Sequence, residues 1–347
     1  MTTAAYKQII AATPRDRLDL FLATANRLGA PVGNVEKDFW VCWTLNALYL
    51  ERPAGGPRLL FKGGTSLSKA YGLIRRFSED IDITVFRDDL DVPASVEELE
   101  VLSNKKRRAK LDAIRDACRA YIAGPLREFL ATQIADATSG VGRIEVDEDD
   151  PDSQTLLVWY PEVEQRDGTY VRPAVRIESG AKSALDPNGI VTIRPYISEE
   201  AAALDLTVSD VTTIEATRTF WDKVVITHGL RRWYERRGVL RQEGQRVSRH
   251  YYDLHCLLGS EVGKAAFADR NLGTDCVRHA RMFFDRPDYD LASAVPGTFA
   301  ITPVSEMVDA LRRDYASTTA MIFGSAPEFD EILASTKQIE DAANHRA

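Results

Sequence analysis

Two aspartates one residue apart, Asp80 and Asp82, follow a Gly63-Gly64-Thr65 turn by fifteen residues, in the run FKGGTSLSKAYGLIRRFSEDIDITVF (Phe61 to Phe86). Strict alternation places Ile81, Ile83 and Val85 on one face and Asp80, Asp82 and Thr84 on the other, so the segment reads as a half-buried strand with an acidic side. Carboxylates at i and i+2 of a strand lie roughly 6.5 Å apart at the backbone, and their side chains can converge on a divalent cation. Upstream, the apolar run Leu59 to Phe61 predicts a short strand, and Ser66 to Arg75 predicts a helix. Strand, glycine turn and helix N-terminus together make an anion site. Glycine lets the backbone approach a phosphate, and free N–H groups favour its charge. One end of this unit suits a polyphosphate and the other suits the metal that accompanies it.

The elements that position these residues follow from pattern. Thr13-Pro14 predicts an N-cap with Pro at the first helical position, opening a helix that ends near Gly29. Val35 to Leu50 reads as a second helix, with Glu36 and Asp38 near its start, where acids complement the helix dipole. Thr155 to Tyr160 and Tyr170 to Glu178 read as two strands joined through Asp167-Gly168, with Pro173 favouring an edge or irregular strand for the second. In that second strand Glu178 shares a face with Arg176, opposite Val175 and Ile177. A charged helical stretch, Val96 to Leu130, separates the acidic strand from this hairpin, and Ile190 to Ile197 is a further strand. From about Val211 the pattern is helical. In Ile214 to Arg236 the packed stripe is Thr217, Phe220, Trp221, Val224, Val225 and His228. Lys223 falls off that stripe, either solvated or directed at phosphate. The helix from Val247 to Leu258 packs through Val247, Tyr251, Leu254 and Leu258 and leaves Asp253 one turn from Arg249, the spacing of an i, i+4 ion pair.

The turn followed by Asp-x-Asp resembles the signature of the polymerase-β-like nucleotidyltransferase superfamily. That resemblance implies a third carboxylate from a neighbouring strand, for which Glu178 is the candidate. The wider set EKDFWV (Glu36 to Val41), FKGGTSLSKAY, RFSEDIDI (Arg76 to Ile83), FWDK (Phe220 to Lys223), SRHYYDL (Ser248 to Leu254) and DYASTTAMIFGSAPEFDEIL (Asp314 to Leu333) is similar to the AbiEii/AbiGii toxin family of nucleotidyltransferases. The resemblance implies an α+β fold: a polymerase-β-like mixed sheet with flanking helices, plus a C-terminal helical domain. The expected divisions are N-terminal helices over 1–56, a nucleotidyltransferase core over 57–210 and a helical domain over 211–347, with the active cleft between the last two. It further implies that Gly63, Gly64, Thr65 and Ser66 bind phosphate, that Asp80, Asp82 and Glu178 hold Mg²⁺ or Mn²⁺, and that Lys223 and Asp253 serve catalysis. Lys223 would also touch the NTP.

The activity so implied is transfer of a nucleoside monophosphate from an NTP, by the toxin of a toxin-antitoxin or phage-defence pair. tRNA is the implied acceptor and a cognate antitoxin the implied partner. Two alternatives stand beside it: modification of a small molecule or a protein, and an inactive NTP-binding module acting through a partner. A glycosyltransferase would leave the glycine turn without a purpose. Ser78, two residues before Asp80, is either a turn residue or a phosphorylation site placing charge beside the metal.

Composition bounds the rest. A chain of 347 residues with 44% hydrophobic content can bury a sizeable core. Cys42, Cys118, Cys256 and Cys276 have neither disulfide-framework nor zinc spacing, predicting a reducing cytoplasm. The absence of an apolar run near 20 residues or a leader pattern predicts an intracellular protein without membrane contact. Net charge is −8, with acid concentrated at Asp147 to Asp152. Basic clusters stand at Lys105 to Lys110 and in the aromatic-arginine run Arg231 to Arg246, the latter a candidate for holding RNA.

Overall fold

The Thr13 hydroxyl accepts a hydrogen bond from the Asp16 amide with Pro14 at the first helical position, and Gly29 closes the same helix in the left-handed region, φ 62°. Both helix signals in the sequence therefore act where their chemistry places them. The computed structural model describes residues 2–163, 173–241 and 246–345. Along the chain run α1 (Thr2–Ala11), α2 (Pro14–Leu28), α3 (Val32–Asn46), β1 (Leu59–Lys62), α4 (Gly63–Lys69), β2 (Asp80–Val85), α5 (Val96–Glu100), α6 (Asn104–Tyr121) and α7 (Arg127–Ala137). Then come β3 (Arg143–Val146), β4 (Thr155–Trp159), β5 (Ala174–Gly180), β6 (Asn188–Ile193) and β7 (Val208–Ile214). The remainder is helical: α8 (Ala216–Arg237), α9 (Arg249–Leu258), α10 (Glu261–Ala268), α11 (Arg270–Phe283), α12 (Ser305–Thr319) and α13 (Phe329–Asn344). The architecture is α+β.

The chain divides into two units. The first takes the residues up to Ala70, Phe77–Ala94 and Ser103–Thr213; the second takes Tyr71–Arg76, Ser95–Leu102 and the chain from Ile214 on. In the first, seven strands form one mixed sheet in the order β3-β4-β5-β2-β1-β7-β6. β2 lies antiparallel to β1 and parallel to β5, which places the acidic strand at the centre. Its Ile81, Ile83 and Val85 are wholly buried, and Thr84 joins them despite its position on the acidic face. In the second unit α8 is the central element, packed by α9, α10 and α11.

Several expectations from pattern are corrected. The helix expected over Ser66 to Arg75 begins at Gly63 and ends at Lys69, because Gly72 turns left-handed (φ 63°) and Arg76 pairs with Ile322 in an antiparallel bridge. The stretch from Val211 expected to be helical starts as β7, whose β-branched residues pair parallel with β1 through Phe61 and Thr213, a partner remote in sequence. β5 is a central strand, since Pro173 stands just before it and offers only its carbonyl, to the Tyr160 amide. β4 and β5 pair antiparallel as a hairpin requires. The expected turn at Asp167-Gly168 and the start of the strand at Tyr170 lie outside the described residues, as do residues 242–245 of the arginine-rich run. Among the described residues no helix is long and apolar enough to cross a membrane.

Candidate active site

β1 ends at Lys62 in extended geometry, and Gly63 then takes φ 78°, a conformation that side chains rarely tolerate. A second constraint acts at the same residue. A Cβ on Gly63 would stand 2.0 Å from Asp82 Oδ2 and 2.6 Å from its Cγ, so the Asp82 carboxylate lies directly against the bare backbone of the turn. The antiparallel register explains this closeness, because Lys62 and Asp82 are directly opposed. The glycine turn and the acidic strand are therefore one structure.

The two hydroxyls after the glycines face inward. Thr65 Oγ1 bonds the Asp80 carbonyl and Ser78 Oγ, the latter at 2.8 Å, while Ser66 Oγ donates to the Gly63 carbonyl at 2.9 Å. Both residues are fully buried. Thr65 thus fastens the start of β2 to α4, and Ser78 is a half-buried partner of that clip.

The three expected carboxylates are brought together in this unit. In the parallel pairing of β2 with β5, Asp82 stands opposite Glu178 and Asp80 opposite Arg176. Arg176 donates to Glu178 at 2.5 Å and to Asp147 at 3.0 Å, so one member of the acidic loop is drawn into the cluster. Burial and the neighbouring charges of Glu178, Glu79 and Asp82 push Asp80 up to about 7, with Lys37 opposing them. Negative charge is in excess here. Among the described residues no three His, Cys, Asp or Glu side chains close into a cation cage. Mg²⁺ characteristically takes one or two carboxylates together with water and phosphate oxygens rather than a protein cage. The oxygen donors of Asp80, Asp82 and Glu178, in a cluster with more carboxylates than cations, fit that chemistry.

Lys223 and Asp253 belong to the second unit, and their setting corrects the reading from helical periodicity. Lys223 is buried, not solvated, because α8 is covered on nearly every side. Its ammonium lies 2.8 Å from Asp253 Oδ2. Asp253 has no accessible surface, and its partners are Lys223 and Arg76 in place of the expected Arg249. Arg76 makes a two-pronged contact, Nε to Oδ1 at 2.7 Å and Nη2 to Oδ2 at 2.9 Å. Burial alone would raise the Asp253 carboxyl, but these two cations hold it well below the usual carboxylate range. Lys223 is lowered by burial and by the charges of Arg76 and Arg249, with Asp253 pulling the other way. Pattern reading missed Arg76. Its only signal was a charged residue in a segment otherwise destined for burial, between Ile74 and Phe77.

The aromatic-arginine run also differs from expectation. Arg231 pairs with Glu235 and Glu340, Arg232 with Glu235 and Arg237 with Asp288; Arg236 reaches the Pro287 carbonyl and Arg241 lies over the Tyr289 ring. Its guanidinium groups are engaged within their own unit. On α6, by contrast, Lys105, Lys106 and Arg108 are exposed.

The family model described as "Nucleotidyl transferase AbiEii toxin, Type IV TA system" matches residues 44–335, most of the chain. Among solved structures the chain is similar to MenT4, nucleotidyltransferase toxin Rv2826c from Mycobacterium tuberculosis H37Rv, at 16% identity and a TM-score of 0.43, covering 93% of this chain and 97% of that one. No curated protein matches the sequence.

Proposed function

The chain belongs to the AbiEii family of nucleotidyltransferase toxins of type IV toxin-antitoxin systems, and from that premise we propose that it transfers a nucleoside monophosphate from an NTP to tRNA, with a divalent metal as cofactor. The observation that carries this reading is the register that sets Asp82 against both Glu178 and the Gly63 backbone. It puts the oxygen donors suited to Mg²⁺ beside a glycine turn at a helix start, the kind of backbone that binds phosphate. Asp80, Asp82 and Glu178 would hold Mg²⁺ or Mn²⁺. When bound, the metal supplies charge compensation for the triphosphate and for the leaving pyrophosphate.

In the reaction an acceptor hydroxyl oxygen forms a bond to the α-phosphorus and releases its proton to solvent, the bond from that phosphorus to the bridging oxygen breaks, and pyrophosphate leaves. The backbone at Gly63 and Gly64 binds and orients the triphosphate, close to the carboxylates because nothing larger than hydrogen fits at residue 63. The buried hydroxyls of Thr65 and Ser66 hold that turn in shape. The family resemblance assigns Lys223 and Asp253 to catalysis, and within the helical unit Asp253 fixes the orientation of the Lys223 ammonium. The acceptor is assigned to tRNA because the family resemblance implies it and because α6 presents the basic residues Lys105, Lys106 and Arg108 to solvent. A cognate antitoxin is the partner that a type IV system requires.

The test is incubation of the protein with Mg²⁺, each α-labelled NTP in turn, and total tRNA, beside an Asp80→Ala/Asp82→Ala control. Label on tRNA that disappears in the control is the expected result. Label on a small molecule or on protein, again lost in the control, would replace the acceptor and keep the chemistry. NTP binding without pyrophosphate release under any acceptor would instead identify a binding module.

A further inference from the structure

Three consecutive charged residues near the start of α3, Glu36, Lys37 and Asp38, retain only 3%, 4% and 3% of their surface. Charged side chains are almost never so buried unless paired. Their position near a helix N-terminus suggested a dipole role for the two acids; the structure gives each a specific partner instead. Successive helical residues point about 100° apart, so three in a row reach three different neighbours. Glu36 Oε1 accepts from the Val163 amide at 2.8 Å. Lys37 Nζ donates to Glu79 Oε2 at 2.7 Å, and Glu79 is the residue immediately before Asp80. Asp38 Oδ1 lies 2.6 Å from Lys69 Nζ, and its Oδ2 accepts from the Tyr196 amide at 2.7 Å.

Lys69 is the last residue of α4, the helix that opens at Gly63. Its ammonium sits between the Asp38 carboxylate and the Tyr196 ring, 3.7 Å from the ring centroid. A helix of seven residues cannot hold its own shape in isolation, so its orientation depends on such anchors. β2 has the matching dependence at its first residues. Lys37 is the cation whose charge acts on Asp80 against its acidic neighbours.

We propose that Lys37 and Asp38 are positioning residues for the nucleotidyl-transfer site, Lys37 setting the start of the carboxylate strand and Asp38 setting the helix that carries the glycine turn. The proposal rests on the reading of Asp80, Asp82 and that turn given above. One helix thereby holds both halves of the site: Lys37 through Glu79, Asp38 through Lys69. The Thr65 bond to the Asp80 carbonyl joins the two halves to each other.

The experiment measures Mn²⁺ binding by water-proton relaxation, and binding of each NTP by calorimetry at saturating Mn²⁺, for wild type, Asp82→Ala, Lys37→Met, Lys37→Arg and Asp38→Asn. Lys37→Met is expected to weaken Mn²⁺ binding by about 10- to 100-fold, the effect of losing an outer support of a metal ligand, and Lys37→Arg to restore most of it. Asp38→Asn is expected to leave Mn²⁺ binding near wild type and to weaken NTP binding several-fold. Should a single variant fail to fold because it leaves a buried charge alone, Lys37→Met/Glu79→Met and Asp38→Asn/Lys69→Met remove both charges of each pair and carry the same expectations. If Asp82→Ala abolishes Mn²⁺ binding while Lys37→Met and Asp38→Asn bind both ligands as wild type does, the positioning role is overturned and the site stands. Equal loss of both ligands in both variants, in step with a lowered melting temperature, also overturns it, as general destabilisation. Unchanged Mn²⁺ binding in Asp82→Ala overturns the site and this inference together.

Discussion

Asp80 is a half-buried carboxylate and Asp253 a wholly buried one, and their surroundings drive them in opposite directions. Burial and three acidic neighbours push Asp80 up to about 7. Burial would raise Asp253 as well, but Arg76 and Lys223 outweigh it and hold the carboxyl below its ordinary range. The first region sets Glu79, Asp80, Asp82, Asp147 and Glu178 against Lys37, Lys62 and Arg176, and the second carries one acid between two bases. The first keeps an excess of acid that a cation would meet, whereas in the second the single acid is held between its two cations. On the proposed function the acidic strand is the place for metal and nucleotide, and the Asp253 cluster is where side chains of the helical unit are locked in orientation.

The largest expected effect falls on activity. Asp82→Ala should reduce nucleotide transfer by roughly a hundredfold or more while the melting temperature stays close to wild type, because it relieves repulsion as it removes a ligand. A large loss of stability there would break the contrast between the two regions. Asp253→Ala should behave in the reverse order, costing about 3–5 kcal/mol in urea unfolding because it takes the carboxylate out of a buried cluster that holds Arg76 and Lys223. Normal stability in that variant would show that the cluster relaxes without its acid. Gly63→Ala comes next. It forces a side chain into the left-handed region, at about 1–2 kcal/mol, and drives a methyl group into the Asp82 carboxylate. Transfer should fall further than stability, which parallel kinetic and thermal measurements would show.

The smallest effect is the response to acid. Asp253 has a folded pKa below its unfolded one, so its contribution is complete above the ordinary carboxylate range and is lost as pH falls through and below that range. His250 is held well below its usual 6.5 by burial and by the charges of Lys223 and Arg249, so its contribution begins to fall as pH drops below 6.5. His250 should therefore lower stability from about pH 6.5 downward, while Asp80, raised to about 7 in the fold, should add stability over the same window, each by no more than about 1.4 kcal/mol per pH unit. Unfolding midpoints between pH 8 and pH 4, with and without His250→Phe, would measure that first portion. A midpoint unchanged by the substitution would remove His250 from the account.

Local pattern made the central unit legible. Alternation at Ile81, Ile83 and Val85 required a strand, the glycine pair required a turn, and the resemblance of the ordered motifs named a family that the matched profile bears out. Apolar faces have a period, and a period can be read without knowing the partner. Buried charges have none. Lys37, Asp38, Arg76, Lys223 and Asp253 look in sequence like residues bound for solvent, and the partner that justifies each burial lies 30 to 177 positions away. The same holds for β7, whose pairing with β1 joins residues 61 and 213.

By itself the sequence determined that an acidic strand follows a glycine turn and that helices dominate the C-terminal part, because hydrophobic spacing and backbone permissiveness are properties of neighbouring residues. Only the tertiary structure decided that Asp82 rests on Gly63, that Glu178 stands opposite it, and that Asp253 is neutralised by Arg76 and Lys223. Each of those facts is the electrostatic outcome of an encounter between distant segments.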